Sequence, residues 1–309
     1  MKNIVLFLVF FAVVFSGCTR EQIDTEGKHD VVIFFTAESA PPSSLKSTTE
    51  ANADERAIEE ILLFGVDNDG VFWQDFVITQ AQLTNAEAGA VVLPQVSRKV
   101  KKFLAIANPQ PAMSTAIEEA IADETLSAAY LEDLICDFSD YPQSPFVMSG
   151  TGTVTGYAAK IDLIRIVARI ELIVAEGYDI VINSVTVKTR DKGFVFPKEP
   201  FAVPTATMET FGDRAPVANG ASAILYVAEN NVNIPAELTE FTVKGLLETK
   251  PVTYLFSLKQ GNNNLAIMRN KNYKVIITPV THADGGFTIE IPDWEDVKID
   301  DQVIPDPQP

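Results

Sequence analysis

"VVIFFTAESAPPSSLKSTTEANADERAIEEILLFGVDNDG", residues 31 to 70, sets an apolar stretch, a long polar stretch and a second apolar stretch in succession. The first piece, residues 31–39, is β-branched and aromatic over a strand-sized length and is bounded by polar residues, which predicts a strand. Residues 40–57 hold prolines, serines, threonines and charges and read as a loop; a loop this long without structure is usually functional or disordered. Lys46 and Arg56 stand in it as sites open to a trypsin-like protease. "AIEEILLFGVDNDGVFWQDFVIT" then reads as a β-hairpin whose turn, Asp67-Asn68-Asp69-Gly70, is built from residue types that accept positive φ. The rival reading of "DNDG" is a calcium loop, but an EF-hand pattern continues to a Glu at its twelfth position between helices, and this stretch does not.

Working outward, "KVKKFLAIAN", residues 99–108, is a further strand. Residues 113–135 carry Ile117, Ala120 and Ile121, then Leu126, Tyr130, Leu131 and Leu134 at three-to-four spacing, which predicts one or two amphipathic helices. Thr115, with Glu118 three residues on, is the candidate cap. Cys136 continues the helical spacing and reads as a small buried hydrophobe. The Gly-rich "FVMSGTGTVTG" marks a domain boundary, placed between residues 156 and 157. Beyond it the chain is almost wholly β: "KIDLIRIVARIELIVA" reads as one partly alternating strand, followed by "VINSVTVKT", "GFVF", "SAILYVAEN", "FTVKGLL", "TYLFSL", "KNYKVIITPV" and "GFTIEIPDW". Many short strands with Gly, Asn and Pro between them predict a sandwich or barrel. No helix–strand alternation supports a parallel sheet. The fold class is therefore mainly β, with short helices confined to the first of two domains, residues 31–156 and 157–294.

The amino terminus raises a separate question. In "LFLVFFAVVFSGCTR", residues 6–20, an apolar run ends abruptly at a cysteine. The run from Ile4 to Phe15 covers 12 residues, whereas a membrane span takes about 20. Lys2, the apolar run and the small Ser16-Gly17 make a targeting segment, residues 1–17. "VFSGC" resembles a bacterial lipobox, which implies lipidation of Cys18 and cleavage before it. Acyl chains contribute about 0.8 kcal/mol per buried methylene, so two or three anchor a protein that does not span the membrane. Residues 18–30 lack periodicity and read as a tether.

Composition narrows the functions. With 42 acidic against 24 basic residues the net charge is −18, which argues against nucleic acid, because phosphate binding needs clustered Lys and Arg. There are two cysteines, and Cys136 has no partner once Cys18 is lipidated. Of the two histidines, His29 is assigned to the tether and His282 to a hairpin turn, neither with a neighbour at metal-ligand spacing. No nucleophile elbow and no phosphate-binding Gly loop occurs. Glu59, Glu60, Glu118 and Glu119 read as solvated faces rather than a glycosidase pair. The expectation is no enzyme and no cofactor.

Several pieces in order resemble the Bacteroidetes fimbrillin family, the subunits of type V pili: the lipobox, the Arg-containing loop after the first strand, "KFLAIAN", "FVMSG", "IDLIRIVARIEL", "LYVAEN" (residues 225–230) and "IMRNKNYKVIIT" (residues 267–278). Arg169 stands where the family's Arg-x-x-Ala-Lys strand usually has Lys. The resemblance implies two transthyretin-like β-sandwich domains and a structural role. It further implies export to the outer membrane as a lipoprotein, cleavage by a trypsin-like surface protease after an Arg in the first loop, and polymerisation with other fimbrial subunits by strand exchange, the fibre meeting a host or bacterial surface ligand. Arg56 is the sharper cleavage candidate and Lys46 the alternative. Freeing residues 31–39 would open an apolar groove; four or five Val, Ile or Phe side chains at about 1.5–3 kcal/mol each give a driving force of order 10 kcal/mol for refilling it. The tail, residues 295–309, supplies the donor candidates Val297, Ile299 and Val303, although its aspartates and prolines make a poor apolar strand. The alternative function is a surface-anchored glycan-binding lipoprotein of a nutrient-uptake system, for which Trp73 and Trp294 are the available aromatic platforms.

Overall fold

The structure, a computed structural model, describes residues 27–36, 55, 57–85, 90–139, 142–212, 222–230, 237–260, 263–278 and 286–290. In the first half the chain runs β1 (Lys28–Thr36), β2 (Glu60–Val66), β3 (Phe72–Thr79), α1 (Gln80–Asn85), β4 (Ala90–Ser97), β5 (Lys102–Ala107), α2 (Pro111–Ala122), α3 (Ala128–Glu132), β6 (Ile135–Asp137), β7 (Met148–Thr153), β8 (Ala158–Asp162) and β9 (Ile164–Arg165). The second half is β10 (Val167–Val174), β11 (Ile180–Arg190), β12 (Lys192–Phe194), β13 (Met208–Phe211), β14 (Ser222–Ala228), β15 (Glu240–Leu247), β16 (Lys250–Phe256), β17 (Lys259–Gln260), β18 (Asn263–Asn264), β19 (Asn272–Thr278) and β20 (Gly286–Glu290).

The fold is mainly β, as expected, and built of packed sheets. A three-stranded sheet, β4-β1-β8, faces a five-stranded one, β3-β2-β5-β7-β9, and the core between them contains Ile33, Phe35, Ile61, Leu63, Phe103 and Ile161. The five-stranded sheet is covered on its other face by α2, α3, Phe138, Phe146 and Val147. That double burial explains "KFLAIA": five of the six residues of β5 are buried, so the strand reads as a continuous apolar run rather than an alternation. In the second sandwich, β14-β10-β19-β20 packs on β13-β11-β15-β16 around Ile170, Leu172, Val185, Leu225, Phe241 and Val275.

Local chemistry sets the elements. The β2–β3 hairpin forms as expected: Gly70 has φ +80°, and the Asp67 carboxylate accepts from the amides of Asp69 and Val71, each at 2.9 Å, and from Trp73 Nε1 at 2.9 Å. Turn amides and the indole thus occupy the carboxylate. Helix α2 begins at Pro111, with Gln110 at its cap position; Thr115 lies inside the helix and donates to the Pro111 carbonyl at 3.1 Å, so it is not the cap. Ser127 caps α3 by accepting from the Tyr130 amide at 3.2 Å. Cys136 is buried as expected, but on β6 rather than a helix, where it pairs with Gly193 of β12. β4 and α1 were not anticipated. β4 contains Pro94, which breaks the strand signal and is tolerated because β4 is an edge strand.

The stretch expected as one strand from Lys160 to Ala175 is three. Residues 158–162 pair in parallel with β1, Ile164 and Arg165 pair with β7 in the facing sheet, and 167–174 open the second sandwich. Residues 158–165 thus still pair with strands of the first sandwich. Parallel pairs occur as well, β1 with β8 and β10 with β19, inside sheets that are otherwise antiparallel. The Gly-rich stretch has a packing reason. A Cβ on Gly150 would sit 2.3 Å from the Asp162 carbonyl oxygen, and one on Gly152 2.3 Å from that of Lys160, so only glycine lets β8 cross β7.

Gly152→Ala should therefore lower stability by about 1–3 kcal/mol, seen as a reduced urea midpoint. Gly212→Ala, where an added Cβ meets nothing within 4 Å, should leave the midpoint nearly unchanged.

Candidate functional site

β1 is the central strand of its sheet. It pairs antiparallel with β4 from Lys28 opposite Ser97 to Phe34 opposite Ala90, and in parallel with β8 from Val32 beside Ala158 to Thr36 beside Asp162. Its side chains alternate as the sequence predicts: Val31, Ile33 and Phe35 are 0–2% exposed, whereas Val32, Phe34 and Thr36 are half-buried. Hydrogen bonds continue past the ladder, with the Val32 amide donating to the Tyr157 carbonyl at 2.8 Å and the Leu163 amide to that of Thr36 at 2.6 Å. The strand starts at Lys28, earlier than expected, so His29 belongs to β1 and not to a tether; its ring meets Tyr157 edge-on at 5.4 Å.

β4 and β8 do not pair with one another. Removing β1 would leave each with a row of unpaired backbone groups and would uncover a groove floored by Ile61, Leu63 and Phe103. Three inward side chains, not four or five, carry the apolar burial. At about 1.5–3 kcal/mol each they contribute about 5–9 kcal/mol.

The chain following this strand is fastened on both sides of Arg56. Glu55 is 1% exposed. Its Oε1 accepts from Arg169 Nε at 3.1 Å and from the Tyr226 hydroxyl, while its main-chain carbonyl accepts from Arg165 Nε at 3.1 Å. On the other side, Asn108, with φ +50°, accepts from the Glu59 amide at 2.8 Å and donates from its carboxamide to the carbonyls of Ala57 and Phe146, both at 2.9 Å. That is the physical content of the Ala-Asn ending of β5. Arg56 and Lys46 themselves, like Cys18, Val297, Ile299, Val303, His282 and Trp294, lie outside the described residues.

The remaining motif residues bond within the second sandwich, and one of them, Arg269, shares the Val195 carbonyl with the junction between the two sandwiches. Arg269 pairs with Glu229 at 2.7 Å and donates to the carbonyls of Val195 and Phe194, each at 2.9 Å. Asn230 donates to the Glu237 carbonyl at 2.7 Å, and the Tyr273 hydroxyl to that of Ala266 at 2.9 Å. Ser149 of β7 reaches the Val195 carbonyl at 2.6 Å, and β6 pairs with β12 across the same junction. Arg269, Asn230, Tyr273 and Ser149 thus each reach a specific partner, whereas the carboxamide of the buried Asn272 has no hydrogen-bond partner among the described residues.

Little here resembles reactive chemistry. Among the described residues no group of three or more His, Cys, Asp or Glu side chains could hold a metal ion. A cavity of about 900 Å³ beside Asn108, Asp137 and Phe146 includes Cys136 in its lining, but burial pushes that thiol's pKa far up, helped by Asp137, so no thiolate forms at neutral pH. Glu59, Glu118 and Glu119 are exposed, as expected of solvated faces, whereas Glu60 is half-buried at the start of β2. Trp73 is half-buried, its indole N–H is taken by Asp67, and the Lys99 ammonium lies 4.3 Å from its ring centroid. The ring is thus engaged within the protein on its edge and over one face.

No protein-family profile and no curated protein sequence matches the chain. Solved structures do. A putative cell adhesion protein from Bacteroides eggerthii superposes with a TM-score of 0.60 at 15% identity, over 86% of this chain and 96% of that one. The tip fimbrial protein Mfa3 from Porphyromonas gingivalis, with a C-terminal truncation, gives 0.58 at 14% identity over 86% and 100%. A fimbrial assembly protein from Parabacteroides distasonis gives 0.57 at 14% over 85% and 95%. The chain has the β-sandwich fold shared by these fimbrial and adhesion proteins.

The slot makes a direct prediction. Phe35→Ala should cost about 3–5 kcal/mol of unfolding free energy, whereas Val92→Thr on the 59% exposed face of β4 should change it by no more than about 0.5 kcal/mol; urea titration measures both.

Proposed function

We propose that this chain is a structural subunit of a cell-surface fimbria and serves adhesion. One observation carries the reading: β1 is fully integrated between two strands that do not pair with each other, yet a long polar segment joins it to β2, so cutting that segment turns β1 into a separable insert. Cleavage after Arg56 or Lys46 by a trypsin-like surface protease releases it. The opened edges of β4 and β8 then take a strand from another subunit, whose main chain restores the ladders and whose alternate side chains fill the places of Val31, Ile33 and Phe35. The fimbrial and adhesion proteins with the same fold support this reading. Before cleavage a lipid on Cys18 holds the chain at the outer membrane. The donor is the carboxyl-terminal tail of a neighbour, with Val297, Ile299 and Val303 as its inward residues. Residues up to Arg165 make one domain and those from Ile166 to Trp294 the other, with the fibre's contact with its target outside the slot.

Limited trypsin treatment of the protein produced without its leader, followed by sizing, tests the proposal. A ladder of oligomers should appear as fragments containing β1 are lost, and a Lys46→Ala, Arg56→Ala double variant should stay monomeric. Monomers that persist after β1 has gone would overturn it. On cells, an intact amino terminus at Cys18 in every assembled copy would refute the cleavage step.

A further inference from the structure

The surroundings of Glu55 have a property that β1 alone does not explain. The carboxylate sits against Arg169 and Tyr226, and these two are directly opposite one another in the β10–β14 ladder. Their side chains project together from one face of the second sandwich, and Arg165, at the end of β9, joins them through the Glu55 main chain. Arg165 and Arg169 are 1% and 4% exposed.

Each of the three is also held by something other than Glu55. Arg169 Nη1 donates to Glu171 Oε2 at 3.0 Å, Arg165 Nη1 to Asn270 Oδ1 at 3.1 Å, and the Tyr226 ring packs on Phe146 with centroids 4.5 Å apart. If Glu55 were withdrawn, these anchors would keep the donors where they are. The Nε of the buried Arg169 guanidinium would then lose its carboxylate partner, a loss that a protein interior tolerates poorly. Guanidinium and phenol donors converging on one point are suited to a carboxylate.

We propose that Arg169 and Tyr226 form a preformed carboxylate-binding site, with Arg165 holding the main chain of its occupant, filled within the chain by Glu55 and emptied when the segment that carries Glu55 departs. The two candidate cuts then differ in consequence. Scission after Lys46 leaves Glu55 on the body and the site filled. Scission after Arg56 puts Glu55 on the departing piece, so the slot and the carboxylate site open together. The occupant that follows is an acidic side chain on the incoming segment of a second subunit; this last step rests on the assembly reading above. The candidate donor tail has the required chemistry, with Glu295, Asp296, Asp300 and Asp301 interleaved with Val297 and Ile299.

Glu55→Ala in the full chain removes the equivalent of one acetate, which makes acetate the probe. Thermal unfolding of the variant should begin several degrees below that of the parent and rise saturably with sodium acetate. Sodium chloride at the same ionic strength and acetamide should not reproduce the rise, and neither the parent nor a Glu55→Ala, Arg169→Met double variant should show it. If the variant does not fold in chloride, its refolding yield should recover in acetate and not in acetamide. A variant that responds equally to acetate, chloride and acetamide, or that folds in none of them, overturns the site. This measurement does not involve polymerisation: absence of polymer after trypsin would sink the assembly reading and leave the acetate result standing.

Discussion

The structure depends on a strand that is covalently peripheral and energetically central. β1 joins the rest of the chain only through a polar segment, yet it supplies both ladders of the three-stranded sheet and three of the deepest side chains of the first core. Without it β4 and β8 are isolated strands, and an isolated strand with unpaired backbone has no stability of its own. The five-stranded sheet differs because α2 and α3 cover its far side. The first sandwich is thus a durable half, helices on sheet, with a second half whose integrity is delegated to one strand.

The seam between the sandwiches is built differently. Instead of apolar packing alone it uses buried charge and polar groups: Arg169 with Glu55, Arg165 with Asn270, and Ser149 with the Val195 carbonyl. Such groups are costly to bury and tolerate little displacement, so they fix the relative setting of the two halves. The pairing of β6 with β12 adds a backbone tie across the same junction.

Much of this was legible in the sequence where a local pattern determines the outcome. Residues 31–36 alternate because one face is buried, 60–79 fold back because Asp67 and Gly70 make the turn, and α2 follows from three-to-four spacing. Reading failed where two sheets compete for one apolar run. Residues 158–174 hold Ile and Leu throughout, and nothing local says that the chain changes sheet at Leu163 and again at Ile166. Cys136 continued a helical spacing that tertiary pairing with Gly193 overrode. Glu55 left no trace at all: it is one acidic residue in a polar loop, and its partners Arg165, Arg169 and Tyr226 are 110, 114 and 171 positions away.

The strands on either side of β1 run in opposite senses. β1 runs against β4 and along β8, so β4 and β8 point in opposite directions. A guest entering head first or tail first would meet one parallel and one antiparallel wall either way. Backbone polarity therefore does not choose the direction of threading; the choice falls to side-chain fit and to the end from which the newcomer is tethered.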